Sequence, residues 1–129
     1  MTRHTPHLTW LLPLGWVIAL HILLTMEVDV EPSTLSLIPH LDKAVHIFLF
    51  AVLAWLLLIP LKRSLARSTL TAAWIGFCAA SLYGGGMEYL QSALPHRHGN
   101  LADVLANMVG AATVFAALLL RPRRCGPAS

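Results

Sequence analysis

Charge is scarce in this chain: Lys, Arg, Asp and Glu together make 12% of its 129 residues, about half the share usual in soluble domains. Cysteine is scarcer still. Of two cysteines, Cys78 falls in an apolar segment and Cys125 in a basic tail, so neither a disulfide nor a thiolate metal site is expected from them. The apolar runs lack the polar–apolar alternation of barrel strands, which leaves helices as the membrane-crossing form. No small-x-small cleavage site follows the first apolar run, where the chain reads EVDVEPST. That run is therefore read as an uncleaved helix rather than a signal peptide. With no internal repeat and no low-complexity linker, residues 1–129 are read as one domain.

Apolar residues are what the chain has in excess, at 57%. A soluble fold of this length could not bury that much apolar surface. The expected architecture is an all-α membrane protein, a bundle of four transmembrane helices at about residues 8–26, 44–61, 68–90 and 101–120. Each is near the ~20 apolar residues that a ~30 Å hydrocarbon core requires. Pro13 lies in the first turns of its helix, where a missing N–H costs least. Pro60 and the basic loop after it are expected to end the second span, and Arg121 and Pro122 the fourth.

The net charge of +3 does not point to nucleic acid, because the basic residues cluster beside apolar runs. Lys62, Arg63 and Arg67 lie between spans two and three, without an acid, and Arg121, Arg123 and Arg124 follow span four. The connection between spans one and two instead carries Glu27, Asp29, Glu31 and Asp42 with one lysine. Both termini and the basic loop are thus expected in the cytoplasm and the other two loops outside.

Small residues mark the expected contact faces, since helices in lipid associate by close van der Waals approach. Ala72, Gly76, Ala80 and Gly84 recur every fourth residue, and Glu88 is next in the series. Ala102, Ala106 and Gly110 make a second stripe, beside Asp103, Asn107 and Ala111. Gly84, Gly85 and Gly86 permit either a kink or a very near neighbour below Glu88.

The polar residues gather at one depth. Asp42, Lys43 and His46 open span two, Glu88 and Gln91 close span three, Arg97 lies in the following loop, and Asp103 and Asn107 open span four. Each has a bland explanation. Asp42 and Lys43 would serve as interfacial anchors, Asn100 and Asp103 as a capping box, Glu88 as the ion-pair partner of Arg97 or Lys43, and His46 as a packing residue. Their joint occurrence on three helices is harder to explain away, because ionisable groups inside spans are costly and usually face a site. His96 and His98, with His46 and the nearby carboxylates, raise the question of a zinc or manganese ion. The pair His96 and His98 lies in an exposed loop beside Arg97, whose charge repels a cation, so no metal and no cofactor is expected.

In this order the residues resemble the VanZ-like family of bacterial integral membrane proteins. The matching features are Asp42-Lys43-x-x-His46, then Glu88-x-x-Gln91, Arg97, and Asp103-x-x-x-Asn107-x-x-Gly110. They cover over half of the chain. The position three after Arg97 is a small hydroxyl or acidic residue in many relatives, whereas this chain has Asn100, which can also cap a helix. The resemblance implies a multi-pass protein of the bacterial inner (cytoplasmic) membrane. The family is similar to a protein associated with resistance to the glycopeptide antibiotic teicoplanin, and the resemblance carries no settled biochemical activity.

Two functions fit this reading. The first is an enzyme or binder at the outer membrane–water interface, acting on a lipid or lipid-linked cell-envelope component. Lys43 and Arg97 suit a phosphate head group. Glu88, Asp103 and His46 are the candidate catalytic residues, able to exchange protons, and Asp42, Gln91 and Asn107 would help bind the substrate. Hydrolysis, transfer and binding alone all fit. The alternative is a non-enzymatic envelope protein whose charged cluster locks the bundle or presents a partner-binding surface. A proton or ion pathway is disfavoured, because the other halves of the spans are nearly free of ionisable groups.

Overall fold

The computed structural model describes residues 6–26, 41–65, 68–94 and 100–121, and these are almost entirely helical, with no strand among them. A 3-10 turn, Pro6–Trp10, leads into α1, Leu11–Thr25; α2 is Leu41–Ser64, α3 Thr69–Ser92 and α4 Leu101–Leu119. Local chemistry accounts for the starts. Ser68 Oγ accepts from the Thr71 N–H at 3.0 Å to cap α3, and Asn100 Oδ1 accepts from the Ala102 N–H at 3.0 Å to cap α4, each satisfying a donor the first turn leaves open. Pro13 is third in α1, where no intrahelical bond is lost.

Pro60 departs from the sequence expectation. It does not end α2, which runs through it to Ser64. A proline inside a helix removes one N–H bond, but Pro60 is fully buried in the bundle, and neighbouring helices can hold such a segment helical. Lys62 and Arg63 then occupy the last turn, where positive charge suits the helix dipole.

Leu8–Thr25, Leu41–Ser64 and Leu101–Leu119 are long and apolar enough to cross a membrane. α3 equals α2 in length, 24 residues each, but its glycines, hydroxyls, Glu88 and Gln91 make it less apolar than those three. The outer surface is unlike that of a soluble bundle. Leu82 and Leu120 are 78% and 82% exposed while Glu88 and Asn107 are 5% and 0% exposed. An apolar outside, with the few polar groups turned inward beside an apolar core, is the arrangement lipid favours.

α2, α3 and α4 pack on one another, and α1 lies chiefly against α2 with a smaller contact to α3. Their shared core is Leu20, Leu24, Leu49, Phe50, Leu53 and Met87, with small residues between them. The stripe Ala72, Gly76, Ala80 and Gly84 is buried, and so is Glu88 in the same series. Its counterpart on α4 buries Ala106 and Gly110. Two glycines set the closest approaches. A methyl at Gly110 would meet the backbone carbonyl of Ile47, and one at Gly84 would lie 2.9 Å from both Asn107 Cβ and Phe50 Cε1. Gly85 and Gly86 face open space, so close packing accounts for only the first of the three glycines.

Three side-chain hydrogen bonds to main-chain carbonyls fasten α1. Trp16 Nε1 donates to the Leu49 carbonyl at 3.1 Å, Tyr83 Oη to that of Val17 at 3.2 Å, and Gln91 Nε2 to that of Leu24 at 2.6 Å. Such bonds within membrane bundles average about 0.6 kcal/mol and reach about 1.7 kcal/mol. Gln91→Leu is expected to fall in that range, a small drop in the thermal midpoint in detergent. A loss of several kcal/mol would show that Gln91 does more than hold α1.

Candidate functional site

The start of α2, the end of α3 and the start of α4 meet at one end of the bundle. There a donor atom of His46, one of Glu88 and one of Asp103 lie within 4.8 Å of one another. Each comes from a different helix. His46 and Glu88 are buried and Asp103 is partly buried.

The surroundings orient these groups. His46 Nδ1 lies 2.8 Å from Asn107 Oδ1. With the amide so placed its oxygen can only accept, so Nδ1 is the donor in this bond. Glu88 Oε2 accepts from the Asn100 backbone N–H at 3.1 Å. Its other oxygen, Oε1, is buried and has no hydrogen-bond partner among the described residues, as is true of Asn107 Nδ2 and Ser81 Oγ. Buried polar atoms left without a partner are few in native proteins.

Lys43 forms the rim. Its ammonium is 3.0 Å from Asp42 Oδ2 and 3.4 Å from Asp103 Oδ1. The first contact is a hydrogen bond; the second is an ion pair without hydrogen-bond alignment. Asp42 is the outermost of the group, its side chain 54% exposed.

Of the residues read from the sequence, His46, Glu88, Asp103 and Asn107 are brought together, with Lys43 and Asp42 at their edge. Gln91 turns to α1 instead. Arg97, His96 and His98 lie outside the described residues, as do the acids at 27, 29 and 31, Arg67, Arg123, Arg124 and Cys125. Cys78 is free and partly buried. The reciprocal capping box does not form. Asn100 caps through its side chain, but its N–H goes to Glu88 and the Asp103 carboxylate goes to Lys43. Capping therefore does not account for Asp103. Sequence reasoning missed Trp16 and Tyr83 as polar tethers. An indole or a phenol in an apolar run is the only signal they leave.

A groove of about 960 Å³ opens away from the polar cluster, between α2 and α4, lined by apolar side chains such as Phe48, Trp55, Val114 and Leu118, with Arg121 at one end. A second, of about 400 Å³, runs along α1 beside Trp16 and Leu20. Neither includes a residue of the cluster.

No curated protein and no solved structure matches this chain. The family described as VanZ/LLP1 matches residues 3–121, nearly the whole sequence. With its apolar helices, this chain is a membrane protein that belongs to the VanZ/LLP1 family.

Proposed function

We propose that this protein is a four-span membrane protein of the bacterial inner membrane, with both termini in the cytoplasm. On this reading the His46–Glu88–Asp103 cluster sits at the outer interface, where it binds or acts on a lipid or lipid-linked envelope component with an anionic head group. The charge distribution along the helices supports this orientation. α2 has Asp42 in its first turn and Lys62 and Arg63 in its last, and α4 has Asp103 in its first turn with Arg121 just beyond its end. Basic ends belong on the cytoplasmic side, which leaves the polar cluster outside.

The observation that carries the functional reading is the convergence of His46, Glu88 and Asp103 from three helices beside the partly exposed Lys43. Lys43 would meet a phosphate, with Arg97 from the loop as its partner. Glu88 Oε1 has no hydrogen-bond partner among the described residues, which leaves it able to accept a hydrogen bond from a substrate. A role toward glycopeptides of the teicoplanin type comes from the family resemblance alone.

The bonds that join helices favour one alternative. His46–Asn107 and Glu88–Asn100 fasten α2, α3 and α4 together, as a structural lock would.

The test titrates the purified protein with a soluble short-chain phosphatidic acid, and with the matching phosphatidylcholine as the zwitterionic control. Lys43→Met and Arg97→Gln are expected to weaken phosphatidic acid binding at least about tenfold, since a hydrogen bond to a charged group is worth about 1.5–3 kcal/mol, with little change in thermal midpoint. In a lock, Glu88→Gln, Asp103→Asn and His46→Ala would each lose roughly 3–5 kcal/mol of stability, and neither lipid would bind.

A further inference from the structure

We infer that His46, Glu88 and Asp103 form a binding site for one divalent transition-metal ion of the zinc or manganese kind. The donor set is the first reason. One imidazole and two carboxylates suit such ions, whereas magnesium and calcium prefer all-oxygen sites. The spacing is the second. Metal–ligand bonds of about 2.0–2.2 Å put donor atoms roughly 3.5 Å apart, and here all three lie within 4.8 Å of one another before any ion draws them in. Small side-chain rotations close that gap.

The third reason is independent of the cluster's composition. Glu88 is 5% exposed, and its Oε1 has no hydrogen-bond partner among the described residues. A buried carboxylate oxygen left in this state is costly. A cation held between Glu88, His46 and Asp103 would satisfy it.

The supporting contacts are those a metal site uses. Ligating histidines commonly donate their other ring N–H to a fixed acceptor, which sets the tautomer and aims the lone pair. Asn107 Oδ1 serves His46 Nδ1 in this way. The Asn100 N–H holds Glu88 Oε2 likewise. Charge balance points the same way. Among the described residues here, Asp42, Glu88 and Asp103 face one cation, Lys43. A divalent ion supplies the missing positive charge. Lys43 is tied to Asp42 at the rim and can leave Asp103 with it when the ion enters. With three protein ligands, the ion would keep a position open to water or to an incoming oxygen anion.

His46 and the carboxylates of this cluster belong to the metal set the sequence suggests, but the site proposed here does not need His96 or His98. The inference stands apart from the lipid proposal, because its test uses metal alone. Detergent-purified protein, stripped with chelator and carrying His96→Ala and His98→Ala to remove competing imidazoles, is titrated with Mn²⁺ by electron paramagnetic resonance and with Zn²⁺ by calorimetry. One equivalent is expected to bind and raise the thermal midpoint. His46→Ala, Glu88→Gln and Asp103→Asn should each weaken it more than about 100-fold, and Asn107→Leu, which removes the orienting contact but no ligand, about 10–100-fold. Lys43→Met should tighten it, a change in affinity that misfolding cannot produce. No binding to the stripped protein would overturn the site. So would binding indifferent to all three ligand variants, or weaker binding in Lys43→Met.

Discussion

Replacing Gly110 with leucine is expected to cost about 3 kcal/mol or more, the upper end of what overpacking usually costs. The reason is what the new side chain meets. A Cβ at Gly110 would run into the carbonyl, carbonyl carbon and Cα of Ile47, all of them backbone. A side chain can rotate away from an intruder; a helix backbone must move as a unit. α4 would therefore be pushed off α2 at the level of His46, the residue beside Ile47. Gly110→Ala should show the same effect at smaller size. Gly85→Ala is the control. Gly85 faces open space, and alanine gains up to about 1 kcal/mol of helix propensity, so this variant should match or slightly exceed the native protein. Thermal unfolding in detergent reads all three. A Gly110→Leu protein as stable as the native one would refute the close crossing of α2 and α4.

The second large effect lies in the buried hydrogen bond beside that crossing. Asn107 is completely enclosed, and His46 is 7% exposed. Asn107→Leu leaves the His46 Nδ1–H buried without an acceptor, and His46→Leu leaves the Asn107 amide in the same state. Each should cost about 1–3 kcal/mol, the desolvation penalty of an abandoned partner. The double variant removes both polar groups and should cost well under the sum of the two. A coupling of 0.5–3 kcal/mol is what contacting residues typically show in such a cycle, an order-of-magnitude range. Strict additivity would mean that the 2.8 Å contact is not formed in the folded protein.

The helices were legible because long apolar runs need little context, and the starts of α3 and α4 because Ser68 and Asn100 are capping residues. The end of α2 was not. Pro60 is a reliable stop signal only where no neighbour supports the chain, and its burial is a tertiary fact. The fourfold spacing of small residues gave the face of α3 correctly, yet spacing names a face and never the partner. Nothing local says that Gly84 abuts Asn107 or that Gly110 meets Ile47. Glu88 and Gln91 illustrate the same limit. Three residues apart, they lie roughly 60° from one another around the helix, enough for one to face α4 and the other α1. The convergence of His46, Glu88 and Asp103 could be suspected from their common depth, but the unpartnered oxygen of Glu88 belongs to the folded arrangement alone.

The three polar tethers of α1 all end on main-chain oxygen, at Val17 and Leu24 on α1 itself and at Leu49 on α2. A carbonyl is the same whichever side chain stands beside it. Apart from Trp16, the first helix can thus drift widely among apolar residues during evolution without losing its berth. The other three helices, whose polar groups and glycines meet side by side, have no such latitude.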